Sequence, residues 1–270
     1  MKRIITVEVL AVSFLVAACG DPSWHAREAA GASAAPTSVR GQAGYALPPQ
    51  VQQVSLGRDG SLEISGRAAH DGRVRALTAQ GSAYGAATGV GGSFLIDAPA
   101  SSTPLLIALS ADDSHSLVSA PGFLFIPPDA PGRAVMLIPG AASHAVGGRA
   151  GLITAADYDA GGGGGVCGAA PAGQMVSIYL DGALVARTVA SPSGLYAARL
   201  GDKPIPAGDH EIRVTTAGQS VSRILRFSAA APPAGQSFSA VREDDGWRVN
   251  WTAPFGGSET TFVFTPRAPS

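Results

Sequence analysis

Basic residues are few in this sequence and form no patch. Nineteen Lys and Arg face twenty Asp and Glu for a net charge of −1, and beyond the adjacent Lys2 and Arg3 they are spread singly along the chain. Nucleic-acid binding needs a basic stripe or patch, so that class of partner is excluded. Cysteine is nearly absent: only Cys19 and Cys167 occur, with no C-x-x-C and no Cys/His spacing, which removes a structural zinc site. The long helix formers Glu, Lys and Gln are scarce, while Gly, Ala, Ser, Thr and Val are abundant. That composition favours short strands joined by turns. No Gly-x-Ser-x-Gly elbow offers an activated serine. The five-glycine run from Gly161 to Gly165 lacks the Lys-Ser/Thr of a phosphate loop. It reads as a hairpin tip, and no cofactor is expected.

The amino terminus is organised differently. Lys2 and Arg3 precede a mostly apolar run from Ile4 to Ala18, interrupted by Glu8. The run is shorter than the roughly 20 residues of a membrane span, so a cleaved leader over residues 1–18 is expected. Its last residues, Leu15-Val16-Ala17-Ala18-Cys19, resemble the lipobox of bacterial lipoproteins. The resemblance implies that the Cys19 thiol carries diacylglycerol, that cleavage falls before Cys19, and that the new amino terminus is acylated, with palmitate among the expected chains. Two or more acyl chains give stable attachment to a bilayer. An aspartate after the modified cysteine retains enterobacterial lipoproteins at the inner membrane. Here that position is Gly20, so the same resemblance implies an outer-membrane location in the cell envelope. With Cys19 lipidated, Cys167 has no partner within the chain. It is expected as a small, partly buried strand residue, a disulfide between chains being the alternative.

Residues 19–50 mix Ala, Gly, Ser and Pro and end in Pro48-Pro49 and Gln50 without sustained periodicity. They are expected to form a flexible tether reaching about 30 Å.

Beyond the tether the sequence repeats at an offset near 102 residues. Leu62 to Ala69 matches Gly164 to Pro171, and Gly91-Gly92-Ser93-Phe94 matches Ser193-Gly194-Leu195-Tyr196. Pro127-Pro128, Gly132 and the run Val135 to Ile138 echo Pro232-Pro233, Gly235 and Phe238 to Val241. Two copies of one unit near 100 residues long account for this better than a single large domain. Within the second copy the period is two. Val176, Ile178 and Leu180 share a face, Asp181-Gly182 marks a tight turn, and Leu184 to Val189 returns. Glu211 to Val214, Val221 to Phe227, Ser237 to Val241, Trp247 to Trp251 and Glu259 to Phe264 continue the pattern.

The segment Val166 to Ile178, with Asp181-Gly182 and Ser193-Gly194-Leu195-Tyr196, resembles bacterial Ig-like and carboxypeptidase-regulatory-like repeats. Copy one departs from them with His70-Asp71-Gly72 at the turn. The fold expected is all-β: two tandem immunoglobulin-like antiparallel β-sandwich domains, over residues 51–148 and 149–268, after the signal peptide and tether. The resemblance implies spacers, stalks and binding modules, and brings no shared catalytic residues.

Candidate chemistry is sparse. His25, His70, His115, His144 and His210 fall in the tether or near turns. Asp157-Tyr158-Asp159-Ala160-Gly161 opens like a calcium loop but lacks its closing glutamate, and Asp112-Asp113 with His115 is a second polar turn, so no metal is expected. Trp247, Val249 and Trp251 share a strand face and are expected to fill the second sandwich core with Phe262 and Phe264. The sharper alternative is that Trp247 and Trp251 stack on sugar rings, with Tyr84 and Tyr158 as possible contributors. The expected function is therefore a non-catalytic, membrane-anchored binding, adhesion or scaffold module. Its partners would be the bilayer through Cys19 and an envelope protein or surface polysaccharide. A carbohydrate- or peptidoglycan-binding module is one alternative. The other is an enzyme whose site at the domain junction joins His144, Asp157 and Asp159.

Overall fold

The computed structural model describes residues 47–112, 116–147, 151–254 and 256–265, which belong to one compact unit. Cys19, the 1–18 leader, most of the 19–50 tether, His25, Asp113 and His115 lie outside the described residues.

The first copy contributes β1 (Gln50–Leu56), β2 (Leu62–Arg67), β3 (Arg73–Thr78), β4 (Ala83–Ala87), β5 (Ser93–Ala98), β6 (Leu105–Asp112) and β7 (Leu117–Ile126). Two short strands follow, β8 (Val135–Leu137) and β9 (His144–Ala145). The second copy contributes β10 (Ala155–Asp159), β11 (Gly164–Ala169), β12 (Met175–Leu180), β13 (Ala183–Val189), β14 (Leu195–Arg199), β15 (Gly208–Thr215) and β16 (Ser220–Phe227). A terminal meander adds β17 (Phe238–Glu243), β18 (Gly246–Thr252) and β19 (Ser258–Phe264).

Four antiparallel sheets result. Sheet I is β1-β2-β5 and sheet II is β4-β3-β6-β7-β8-β9. Sheet III is β14-β11-β10-β19-β18-β17 and sheet IV is β13-β12-β15-β16. The second copy thus repeats the first, three strands ordered as β1-β2-β5 facing four ordered as β4-β3-β6-β7. The expected all-β architecture of tandem sandwiches is what the chain adopts.

The repeat extends to backbone detail. Gly66 and Gly168, 102 residues apart, each let a crossing carbonyl approach: a Cβ would lie 2.0 Å from the Gln50 oxygen and 2.2 Å from the Leu152 oxygen. Gly92 and Gly194 share φ values of 77° and 76°. The amides of Ala68 and Ala170 donate to their carbonyls at 2.8 and 2.9 Å. At the turn where copy one departs in sequence, Asp71 takes up φ 57°, the left-handed region that Gly173 occupies at 75° in copy two.

Three cores hold the sheets together. Val54, Ile64, Phe94 and Ile96 of sheet I meet Val74, Leu109 and Leu124 of sheet II. Ala156, Tyr158, Val166, Phe262 and Phe264 of sheet III meet Val176, Ile178, Val214 and Phe227 of sheet IV. Between them, Leu106, Phe125, Val135 and Leu137 of sheet II pack on Ala155, Cys167, Val249, Trp251 and Val263 of sheet III. The four sheets therefore form a continuous stack, with sheets II and III covered on both faces where they meet. Strands so placed lose the alternation of a half-exposed strand: β8 is buried throughout, and β19 is buried at every position after Ser258.

Two expectations are corrected here. The Pro127-Pro128 and Pro232-Pro233 segments echo in sequence but not in pairing. β8 adds to its own sandwich beside β7, whereas β17 pairs with β18 at the far edge of sheet III. The tryptophans and phenylalanines do not share one core. Trp247 pairs with Val263 and Trp251 with Glu259, while Phe262 and Phe264 alternate to the opposite face. Trp251 therefore enters the core between the sandwiches, and the phenylalanines enter the second sandwich.

Candidate functional site

The junction between the sandwiches concentrates the buried polar chemistry. The segment from Gly140 to Val146, which includes β9, lies across the face of sheet III that carries Asp157, Cys167, Glu259 and Thr261. Its close approach requires glycine opposite: a Cβ on Gly165 would lie 2.6 Å from the Ala142 Cα. The glycine run therefore does more than cap a hairpin. Its tip ends at Gly163, where Asp159 Oδ1 accepts the amides of Gly161 and Gly163 at 2.7 and 2.9 Å, and Gly164 and Gly165 are strand residues.

Asp157 is 5% exposed. Its Oδ2 accepts the Ser143 amide at 2.7 Å, and its Oδ1 accepts the Ser143 hydroxyl at 2.6 Å and the Thr261 hydroxyl at 2.8 Å. Desolvation pushes its carboxyl up to about 6, against the pull of those donors. Glu259, 7% exposed, accepts the Gly140 amide at 2.9 Å. Burial, aided by the charges of Asp157 and Asp159, raises it to about 7. Cys167 is fully buried, and burial with the nearby Asp157 charge pushes its thiol well above its ordinary value. The cavity beside these acids, bounded also by Arg199, is about 20 Å³, room for roughly one water and not for a substrate.

His144 is exposed, whereas its neighbours Ser143 and Ala145 are buried. It lines a separate cavity of about 500 Å³ with Pro49, Val51, Met136 and Leu195. His144, Asp157 and Asp159 therefore do not converge: Ser143 holds Asp157, and Asp159 caps its own turn. Among the described residues no group of three or more His, Cys, Asp or Glu is placed to hold a metal ion.

A second polar contact crosses the junction near Trp247. The Trp247 indole N–H donates to Asp129 Oδ1 at 2.8 Å, and Arg242 Nε lies 3.3 Å from Asp129 Oδ2. Arg242 also donates to the Glu243 and Gly246 carbonyls at 2.6 Å, and its guanidinium sits 5.8 Å from the Trp247 ring centroid. Trp247 is half-buried, whereas Trp251 is fully buried with its N–H on Thr261 Oγ1 at 3.2 Å and Phe123 edge-on at 6.0 Å. Trp251 has no open ring face for a sugar. Tyr158 is likewise buried, its hydroxyl donating to the Ile205 carbonyl at 3.1 Å, and Tyr84 packs against the first core.

Sequence reasoning missed Ser143 and Thr261 as donors to Asp157, and Glu259 as the acceptor of the Gly140 amide. Nothing in the sequence signalled them: Glu259-Thr260-Thr261 is polar, unlike the apolar run of a strand covered on both faces, and Ser143 precedes a strand of two residues.

No family model matches this chain, and no curated protein matches it. Among solved structures, the chain is similar to one described as "Central Fibronectin-III array of RIM-binding protein", at 14% identity and a TM-score of 0.26, over 78% of this chain and 74% of that one. It is also similar to "Biofilm associated protein - BSP domain", at 14% identity and a TM-score of 0.23, over 68% of this chain and 30% of that one.

Proposed function

We propose that the protein is a lipid-anchored component of the cell envelope, held at the outer membrane through acylated Cys19, whose two joined sandwiches act as a non-catalytic binding or scaffold module. The observation that carries the non-catalytic part is the state of the junction acids. Asp157 accepts two donors from Ser143 and one from Thr261, and Glu259 accepts the Gly140 amide, so the bonds from Ser143 and Gly140 to these carboxyl groups tie one sandwich to the other. A shared core through Trp251, Phe125 and Leu137 gives a stiff body of the kind that presents the outer strands of both sandwiches in one fixed arrangement at the end of the tether. The leader and the Leu15 to Cys19 motif supply the anchor, and Gly20 the choice of membrane. The partner is an envelope protein or a surface polysaccharide, met by outer strands of the stack.

Intact-mass measurement on membrane-extracted protein, beside a Cys19→Ser variant and with the inner and outer membranes separated, tests this reading. A leader-free acylated mass in the outer-membrane fraction, lost in the variant, supports it and selects the fraction for cross-linking of partners. An unacylated mass in the soluble fraction overturns the anchor.

A further inference from the structure

We propose that the junction between the two sandwiches is a pH-sensitive clamp. The Gly140–Val146 segment is held down on sheet III by Asp157 and Glu259, and it lifts as these two buried acids give up their protons, uncovering Cys167.

The geometry carries this. The hydrogen bonds that hold the segment on sheet III run from Gly140 and Ser143 to carboxyl groups on β10 and β19, so both acids lie beneath it, while Ala145 and His144 also pair with Val135 and Met136 of β8 in sheet II. The segment itself brings only amides and a hydroxyl to these acids, and its one titratable side chain, His144, turns to the other cavity. The other groups facing Asp157 are Glu259 and Thr261 on β19, Asp159 on its own strand, and the Cys167 thiol on β11. Arg199 of β14 borders the small cavity but is exposed. Among the described residues no cation is therefore buried with the acids, and each negative charge formed there adds to the others. Ionising a buried carboxyl without a counter-charge is costly, and opening the segment to water relieves it.

The direction follows from linkage. Both acids are held above their ordinary values in the closed state, Asp157 at about 6 and Glu259 at about 7. Their contribution to closure is complete at acid pH, below the ordinary values, and is lost as pH rises through about 6 and 7. The Asp129 contact with Arg242 and Trp247 is separate from this segment and keeps the sandwiches together while it lifts.

The molecule carries its own reporter. Cys167 is fully buried beneath this segment, with its thiol near the Ala145 backbone. The experiment is labelling of Cys167 by a maleimide on the full mature chain, with residue 19 acylated or changed to serine so that one thiol remains. The rate at each pH is divided by that of the denatured protein, which removes the intrinsic reactivity of the thiol and leaves the opening constant. From pH 5 to pH 8 that constant rises more than about tenfold in the wild type, since each unit by which an acid is held above its ordinary value is a tenfold preference. Glu259→Gln, which keeps an acceptor for the Gly140 amide, shows a smaller rise, and addition of Asp157→Asn abolishes it. If the double variant does not fold, Glu259→Gln alone decides. An opening constant that is flat with pH, one equally steep in the variants, or one equal to that of global unfolding in the same buffer overturns the clamp.

Discussion

The same position in the two copies meets opposite surroundings. Strands β1, β2 and β5 in the first sandwich and β10, β11 and β14 in the second share order and register, with Val54 opposite Ile64 as Ala156 is opposite Val166. On the inner face both copies carry apolar residues. On the outer face the first copy presents Ser55, Glu63, Ser65 and Asp97, whereas the second, 102 residues on, presents Asp157, Gly165, Cys167 and Arg199. Three of the four became small or buried because sheet II packs on them. One repeat kept a wet outer face, and the other gave it up to a second core. The terminal meander completes that change. β19 pairs along the outer edge of β10, and β18 delivers Trp251 into the new core.

The largest effect that would break this comparison is expected at Trp251. Trp251→Ala leaves a large cavity in the shared core and costs about 3–5 kcal/mol of unfolding free energy by denaturant titration. Trp247→Ala, at the half-buried rim, costs about 1 kcal/mol through its bond to Asp129. Next in size is the Gly165 position. Gly165→Ala forces a methyl group against Ala142 and costs about 1–3 kcal/mol. Glu63→Ala at the matching position in copy one stays within about 0.5 kcal/mol, because that face is wet. Equal costs at the two positions would show that the outer faces do not differ.

The smallest effect concerns His210. Its Nδ1 lies 2.7 Å from Asp181 Oδ2 and its Nε2 2.8 Å from the Pro206 carbonyl; desolvation is the largest single influence and lowers its basicity, but these two bonds and the charges of Asp181 and Asp209 together outweigh it and raise it. The raised value means that its contribution is fully present below the ordinary histidine range and is lost as pH rises through the raised value. His210→Asn lowers stability at pH 5 by less than about 1 kcal/mol and has less effect at pH 8, read from paired melting curves. Copy one has Ala79 and Ala108 at the matching positions, and its own His-Asp contact lies at the different turn that matches Ala172-Gly173. His70 and Asp71 are adjacent and both exposed, and His70→Asn is expected to change nothing measurable.

How much of this was legible in the sequence follows from the range of each interaction. Hairpins such as β12–β13 are local: Asp181-Gly182 takes up left-handed φ values of 48° and 81° at the turn, and alternation in Val176 to Leu180 marks the buried face. The repeat was legible because its glycines answer to nearby backbone, as Gly66 does to Gln50 and Gly168 to Leu152. The shared core was not, since alternation tells which residues share a face and not what covers it. Trp247, Val249 and Trp251 were rightly placed on one side of a strand, yet the neighbour on that side is another sheet system more than 100 residues away in the chain. The acid at 157 was visible as a possible oxygen ligand. Its donors, Ser143 and Thr261, come from segments that only the stacked sheets bring together.

Because sheets II and III share a core, the two sandwiches fold as one body. Differential scanning calorimetry of the mature chain at pH 5, where the clamp is closed, tests it most directly. A single transition whose calorimetric and van't Hoff enthalpies agree is expected. Two separate transitions, each with the enthalpy of about 100 residues, would contradict it and leave two independent sandwiches on one tether.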